Sequence, residues 1–261
     1  MAEYGLPANP YSVDFNDDYK VDIEDLLILI EYWGTDNSLC DITPTAWGDG
    51  VVDVQDLEVL MGYWGQELDD PYFLVHWKLD ETEGIFACDS AGDNDGTVMG
   101  IPVWQPDNGR VDGALELNGM TFLVADFVLN PAEGPFSVLA WIKGGAPGQA
   151  IISQQTGADW LLLDPATGAL TTGLSSGGRQ SGALCSNVIV CDDHWHRVGF
   201  TWDGSTRSLY VDDILVVEEA DVTLADCNGG VNIGCGSLMA PTTFFSGQID
   251  DVRIYNRAVR P

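Results

Sequence analysis

The residues with the most pointed chemistry lie near the start of the chain. Asp14, Asn16, Asp18, Asp22 and Asp25 fall at positions 1, 3, 5, 9 and 12 of one loop, and Lys20 offers a main-chain carbonyl at position 7. A hard cation such as Ca2+ takes about 6–8 oxygen ligands at roughly 2.3–2.6 Å, and this spacing supplies them. Without an ion, four carboxylates would crowd together, each pair at ~5 Å repelling by about 3 kcal/mol at an effective dielectric of ~20.

The loop belongs to a repeat. Residues 14–34 (DFNDDYKVDIEDLLILIEYWG) align with residues 45–65 (TAWGDGVVDVQDLEVLMGYWG) at an offset of 31, and the two end on the same Tyr-Trp-Gly. In the second copy Asp49, Asp53, Asp56 and the Val51 carbonyl are the expected ligands. Thr45 and Trp47 stand at positions 1 and 3, where Trp cannot ligate, so Asp41 is the candidate to enter through a longer loop containing Pro44. Position 6 is Gly50 in the second loop but Tyr19 in the first, where a positive φ is strained for a bulky side chain. Each loop must be held by a helix. Leu26, Leu29, Ile30 and Trp33, then Leu57, Leu60, Met61 and Trp64, follow one-face helical spacing, with Gly34 and Gly65 as stops. Helices of about nine residues are marginal alone, so the two are expected to pack together.

The whole chain has 261 residues, 41 acids against 10 bases, and a formal net charge of −31. Nucleic acid and anionic membrane surfaces are polyanions and are excluded as partners. No apolar run is long enough to span a bilayer. The charge is uneven: residues 1–70 hold 17 acids and one base, which marks a boundary near Asp69-Asp70-Pro71 and divides the chain into 1–70 and 71–261. From Tyr72 the pattern turns to period two. Strands are expected at 73–79, 114–117, 122–125, 136–143, 150–153, 160–163, 195–202, 208–211, 214–217, 231–233 and 248–255, separated by Gly, Asp and Asn. The expected fold is mainly β, an antiparallel β-sandwich jelly roll, preceded by a small all-α duplicated calcium loop–helix domain. Six cysteines without a C-x-x-C pair suggest disulfides and an oxidising compartment, with Cys185–Cys191 and Cys227–Cys235 as short-range candidates. Met1-Ala2-Glu3 leads straight into polar sequence, so an exported chain would begin after its leader or inside a longer protein.

Two resemblances follow from these motifs. Residues 11–65, a duplicated calcium loop with an exiting helix only, resemble a type I dockerin domain. That resemblance implies docking to a cohesin-like protein, and maps the partner-selecting positions onto Ile23, Glu24, Val54 and Gln55. The segments HWKLDETEG, DSAGDNDGTVMG, GRVDGALELNG, FSVLAWIK, WHRVGFTWDGSTRSLYVDD and GQIDDVRIYNRAV resemble the laminin-G-like, concanavalin A-like jelly-roll family. That family hosts lectin-like modules, adhesion modules and glycosidases alike. It also implies a calcium in the sandwich held partly by an aspartate of the final strand, here Asp250, which Asp80 and Asp89 could meet.

Catalysis finds little support in the chain. The E-x-D-x-E strand motif of the glucanases sharing this fold is missing, and so is a G-x-S-x-G elbow. The acidic pairs Asp212-Asp213, Glu218-Glu219 and Asp250-Asp251 are adjacent, so alternation sends their members to opposite faces. His196 shares a face with Val198, Phe200 and Trp202 and reads as a core histidine. Trp77, Trp104, Trp141, Trp195 and Trp202 read as core, which leaves Trp160 as the candidate ring for stacking on sugar. The expected function is a secreted, non-catalytic interaction protein that docks to a cohesin and binds glycan. Its alternatives are an accessory part of a polysaccharide-degrading hydrolase, or a surface adhesion protein.

Overall fold

The computed structural model describes residues 10–16, 19–37, 39–43, 48–66, 68, 70–175 and 182–259. The chain divides into two compact units, Met1–Pro71 and Tyr72–Pro261.

In the first unit a 3-10 turn at Pro10–Val13 precedes helices α1 (Ile23–Glu31) and α2 (Val54–Gly62). Each begins with the same reciprocal cap. Asp22 accepts from the Glu24 N–H while Asp25 accepts from the Asp22 N–H, and Asp53, Gln55 and Asp56 repeat the arrangement. The two copies are tied crosswise by their backbones. Val21 exchanges hydrogen bonds with Gln66 (2.9 Å) and Gly65 (2.7 Å), and Val52 with Thr35 (2.7 Å) and Gly34 (2.8 Å). Gly34 and Gly65 reach these partners at φ +77° and +76°. Val13, Phe15, Val21, Leu29, Cys40, Val52, Val59 and Leu60 form the shared core. The helical faces differ from the sequence expectation: Leu29 and Leu60 are buried, but Ile30, Trp33, Met61 and Trp64 are exposed. Asp25 and Asp56 are themselves buried beneath the loops, and this turns each helix so that its later apolar residues face water.

In the second unit the described residues hold sixteen strands: β1 (Phe73–Trp77), β2 (Phe86–Ala87), β3 (Gly96–Met99), β4 (Val103–Trp104), β5 (Leu115–Asn118), β6 (Phe122–Ala125), β7 (Phe136–Gly144), β8 (Ala150–Gln154), β9 (Asp159–Leu163), β10 (Ala169–Thr172), β11 (Leu184–Ile189), β12 (Trp195–Trp202), β13 (Arg207–Val211), β14 (Ile214–Glu219), β15 (Val231–Ile233) and β16 (Ser246–Tyr255). They make two antiparallel sheets. One runs β14-β13-β12-β7-β16-β5-β4, with β1 also paired to β16; the other runs β11-β10-β9-β8-β15-β6-β3-β2. The core lies between them, with Val138, Ala140, Phe200, Ile249 and Ile254 from the first sheet meeting Leu123, Ile152, Leu161 and Ile233 from the second. Strand β16 is central and changes neighbour along its length: Ser246–Ile249 pair with β5, and Val252–Tyr255 pair with β1. Asp250 and Asp251 sit at the changeover, where a register shift interrupts the ladder with β7 and Asp251 takes φ +49°.

The cysteine expectation is overturned, because all six are free thiols. Cys185 lies in extended β11 and Cys191 beyond its end. At about 3.3 Å per residue such a span holds two Cα atoms well beyond the ~7 Å limit for a disulfide. Cys227 instead donates to the Gln155 carbonyl, and Cys235 is sealed beyond β15, where burial pushes its thiol up to about 12.

Candidate functional site

The two acidic loops have matching internal geometry. Asp14 accepts from the Tyr19 N–H (2.8 Å), and Tyr19 has φ +65°. Asp41 accepts from the N–H groups of Asp49 (2.9 Å) and Gly50 (2.7 Å), with Gly50 at φ +94°. Asp25 takes the Phe15 N–H (2.7 Å) and Asp56 takes those of Ile42 and Thr43 (2.8 and 3.1 Å), one or two residues beyond Asp14 and Asp41. Asp41 therefore stands in the second loop where Asp14 stands in the first. The longer route passes through 44–47, so Thr45 and Trp47 lie outside the described residues, as does Asp18 in the first loop. Asn16 donates to Glu24 (3.2 Å) and Asp49 accepts from the Val51 N–H (3.1 Å). Among the described residues no three His, Cys, Asp or Glu side chains converge as a cage. The donor chemistry nevertheless fits a hard cation. Asp14, Asp25, Asp41 and Asp56 are all buried, in a stretch whose sequence carries one base, Lys20. Of the positions mapped to partner selection, Ile23, Glu24 and Val54 are exposed and Gln55 is half-buried.

Asp250 is 0% exposed. Its Oδ2 accepts from the N–H groups of Arg110 (2.6 Å) and Val111 (2.8 Å), while Oδ1 has no partner among the described residues. Burial pushes its carboxyl up to about 7 against those two hydrogen bonds, and the charges of Asp251 and Asp80 push the same way. Asp80 accepts from the Gly113 N–H (2.7 Å) on the same wrapping loop. Asp89 is not brought there: its carboxylate serves the N–H groups of His76, Ala91 and Asn94. Asp251 points elsewhere, to His76 (2.6 Å) and Arg253 (3.0 Å). Burial opposes its ionisation, but the His76 hydrogen bond and the Arg253 charge outweigh that and hold its pKa below the usual range.

Two sequence expectations fail here. Trp160 is 0% exposed and cannot stack on a sugar. Alternation along β9 turns Asp159 outward, where it accepts from the Ser237 N–H, and turns Trp160 into the core with its ring centroid 5.5 Å from Phe136. His196 is not an apolar core residue. Its Nδ1 meets Asp212 (2.9 Å) and its Nε2 meets Asp192 (3.1 Å); burial would lower its pKa, but these two carboxylates raise it.

A cleft of about 370 Å³ opens on the outer face of the second sheet, lined by Asp95, Thr97, Val124, Asp126, Phe127, Gln155 and Asn228 among others. Pairing explains the placement. Thr97, Val124, Asn232 and Ser153 stand side by side across β3, β6, β15 and β8, while their neighbours Val98, Leu123, Ile233 and Ile152 face the core. The turn before β15 must pass very close to β8: a Cβ on Gly229 would meet the Gln155 carbonyl oxygen at 1.9 Å, so only glycine fits. Phe127 is 47% exposed at the cleft, and Phe86, paired with Thr97 on the same face, is 58% exposed. Sequence reading missed both rings, because it looked for tryptophan and found no period in the short strands β2 and β3.

This sandwich agrees with a family profile described as concanavalin A-like lectin/glucanases superfamily, which matches residues 118–261, more than half of the chain. The chain belongs to this superfamily. Its fold is shared with domain 4 of AbnA, an extracellular GH43 arabinanase from Geobacillus stearothermophilus solved with arabinotriose (18% identity, TM-score 0.55, covering 72% of this chain and 93% of that domain). It is also similar to the binding domain of botulinum neurotoxin serotype D (15% identity, TM-score 0.53, 72% of this chain and 48% of that one). A third likeness is the binding domain of Paraclostridial Mosquitocidal Protein 1 (13% identity, TM-score 0.51, 72% and 49%). The chain thus spans most of the arabinanase domain but about half of each toxin binding domain. No curated protein matches the chain in sequence. No helix among the described residues is long and apolar enough to cross a membrane.

Proposed function

We propose that this chain is a non-catalytic, calcium-binding interaction protein that works outside the cell: its sandwich binds carbohydrate and its first unit docks to a cohesin-like protein. The observation that carries the carbohydrate reading is the open cleft on the second sheet, where an exposed ring stands beside amides and carboxylates. Sugar faces stack on flat rings, and hydroxyls both donate to carboxylates and accept from amides. The separate settings of Asp250, on the Arg110 and Val111 N–H groups, and Asp251, on His76 and Arg253, support the non-catalytic reading. The AbnA likeness also favours a role as an accessory part of a larger polysaccharide-degrading enzyme.

For the first unit, Asp14, Asn16, Asp22 and Asp25 with the Lys20 carbonyl would hold one Ca2+, and Asp41, Asp49, Asp53, Asp56 and the Val51 carbonyl a second; the sequence spacing adds Asp18, outside the described residues, to the first set. Docking would use Ile23, Glu24, Val54 and Gln55, and the exposure of Ile30, Trp33, Met61 and Trp64 supports an apolar surface beside them. Asp250 Oδ1 would hold a further cation at the changeover of β16. The test is retention of the chain on insoluble arabinan, xylan and cellulose, with a reducing-sugar assay on the same mixtures and a cohesin pull-down with and without chelator. Binding without sugar release, and calcium-dependent pull-down, are the expected results. Release of reducing sugar at enzymatic rates overturns the non-catalytic reading.

A further inference from the structure

The cleft's lining says which carbohydrates can enter. Asp95 and Asp126 are exposed carboxylates at its wall, and none of its lining residues is Lys or Arg. The sandwich, residues 71–261, carries 24 acids against nine bases, so the field around the cleft is negative as well. Asp126 is set by its backbone, whose N–H donates to Asn94 (3.2 Å). Gln155 donates through Nε2 to the buried Asn232 (3.1 Å), which orients its amide oxygen as an acceptor. Asn228 adds a second amide from the turn before β15. An uncharged hydroxyl-rich sugar satisfies every one of these groups, and a uronate or sulfate would bring its charge against two carboxylates with no cation to receive it.

The cleft is also open along the sheet. Phe127, two residues past the end of β6, lines it, and Phe86 stands beside Thr97 on the same outer face, two strand spacings from Val124 on β6. Strand spacing of about 4.8 Å puts the two rings more than one sugar apart.

Resting on the carbohydrate reading above, we infer that this cleft binds the interior of a neutral polysaccharide, with Phe127 and Phe86 as successive stacking platforms and Asp95 and Asp126 excluding polyanionic glycans. The experiment is titration calorimetry of the whole chain with soluble arabinan, galactan, mannan and β-glucan, and with the same polysaccharides after carboxymethylation. At least one neutral polysaccharide should bind, and its carboxymethylated form should bind at least tenfold more weakly. Phe127→Ala should weaken the neutral polysaccharide at least tenfold and Phe86→Ala several-fold; both rings are exposed, so both variants should keep the wild-type circular dichroism. Asp126→Asn should narrow the difference between neutral and charged forms. Binding that survives Phe127→Ala unchanged places the sugar elsewhere and overturns this site while leaving carbohydrate binding intact. Equal or tighter binding of the charged forms overturns the ligand class. No binding to any polysaccharide overturns the carbohydrate reading itself.

Discussion

Asp250 is a carboxyl that folding makes hard to ionise, and this has a pH signature. Its folded pKa of about 7 lies above the ordinary 3.8, so the folded chain keeps a proton that the unfolded chain has lost. The stability so gained is complete below about pH 4 and is lost as the pH rises to about 7, at about 1.4 kcal/mol for each pH unit separating the two pKa values. Urea unfolding of the sandwich in chelator should show a steeper decline across that range for the wild type than for Asp250→Asn, and calcium added above pH 7 should stabilise the wild-type sandwich more than the variant's. His196 has the opposite charge type. Clamped by Asp212 and Asp192, it titrates above 6.5, so its contribution is complete below pH 6.5 and fades as the pH passes its raised pKa. An NMR titration that puts the His196 pKa below 6.5 would contradict the clamp. Trp160→Ala should cost about 3–5 kcal/mol, since it empties a filled core position beside Phe136. Trp160→Phe should cost less, because the indole N–H it removes has no acceptor among the described residues.

At the scale of elements, each acidic loop and its helix are one device. Asp25 and Asp56 close the helix caps and also stand at the last loop position, so under the calcium proposal a single carboxylate would serve folding and ion binding together. Asp25→Ala should cost about 1 kcal/mol through the cap even without calcium, and should lower the calorimetric calcium stoichiometry by one. Asp56→Ala should do the same at the second loop. A stoichiometry unchanged by either variant would remove the loops from the calcium assignment. In the sandwich, Arg207 plays a comparable joining role: almost wholly buried in β13, it meets Glu219 on β14 and the carbonyls of Leu174 and Gly182.

For the molecule as a whole, two separate hydrophobic clusters serve two units. Two calorimetric transitions are expected, of which the one from residues 1–71 should move down strongly in chelator, since a ligand bound only to the folded state stabilises it by mass action. A net charge of −31 adds self-repulsion, so moderate salt should raise that transition in the calcium-free protein.

The sequence by itself determined the repeat, the loop spacing and the sandwich class, because each is a local pattern. Matched residues 31 apart, side-chain oxygens at fixed intervals and long alternating runs such as those of β7, β12 and β16 are all read along one stretch of chain. It did not reveal β2, β3, β4, β10 or β11, which are short or polar and become strands only through pairing with neighbours distant in sequence. It put Trp160 on the wrong side of its strand, because which face of a strand is buried depends on the sheet opposite. The direction of the helical faces in the first unit was likewise decided by burial of Asp25 and Asp56. The cleft existed for no sequence reading at all: Asp95, Asp126, Gln155 and Asn228 are separated by up to 133 residues and meet only because β3, β6, β15 and β8 lie side by side. Ligand geometry of that kind is a property of strand order, and strand order is set by the packing of two whole sheets.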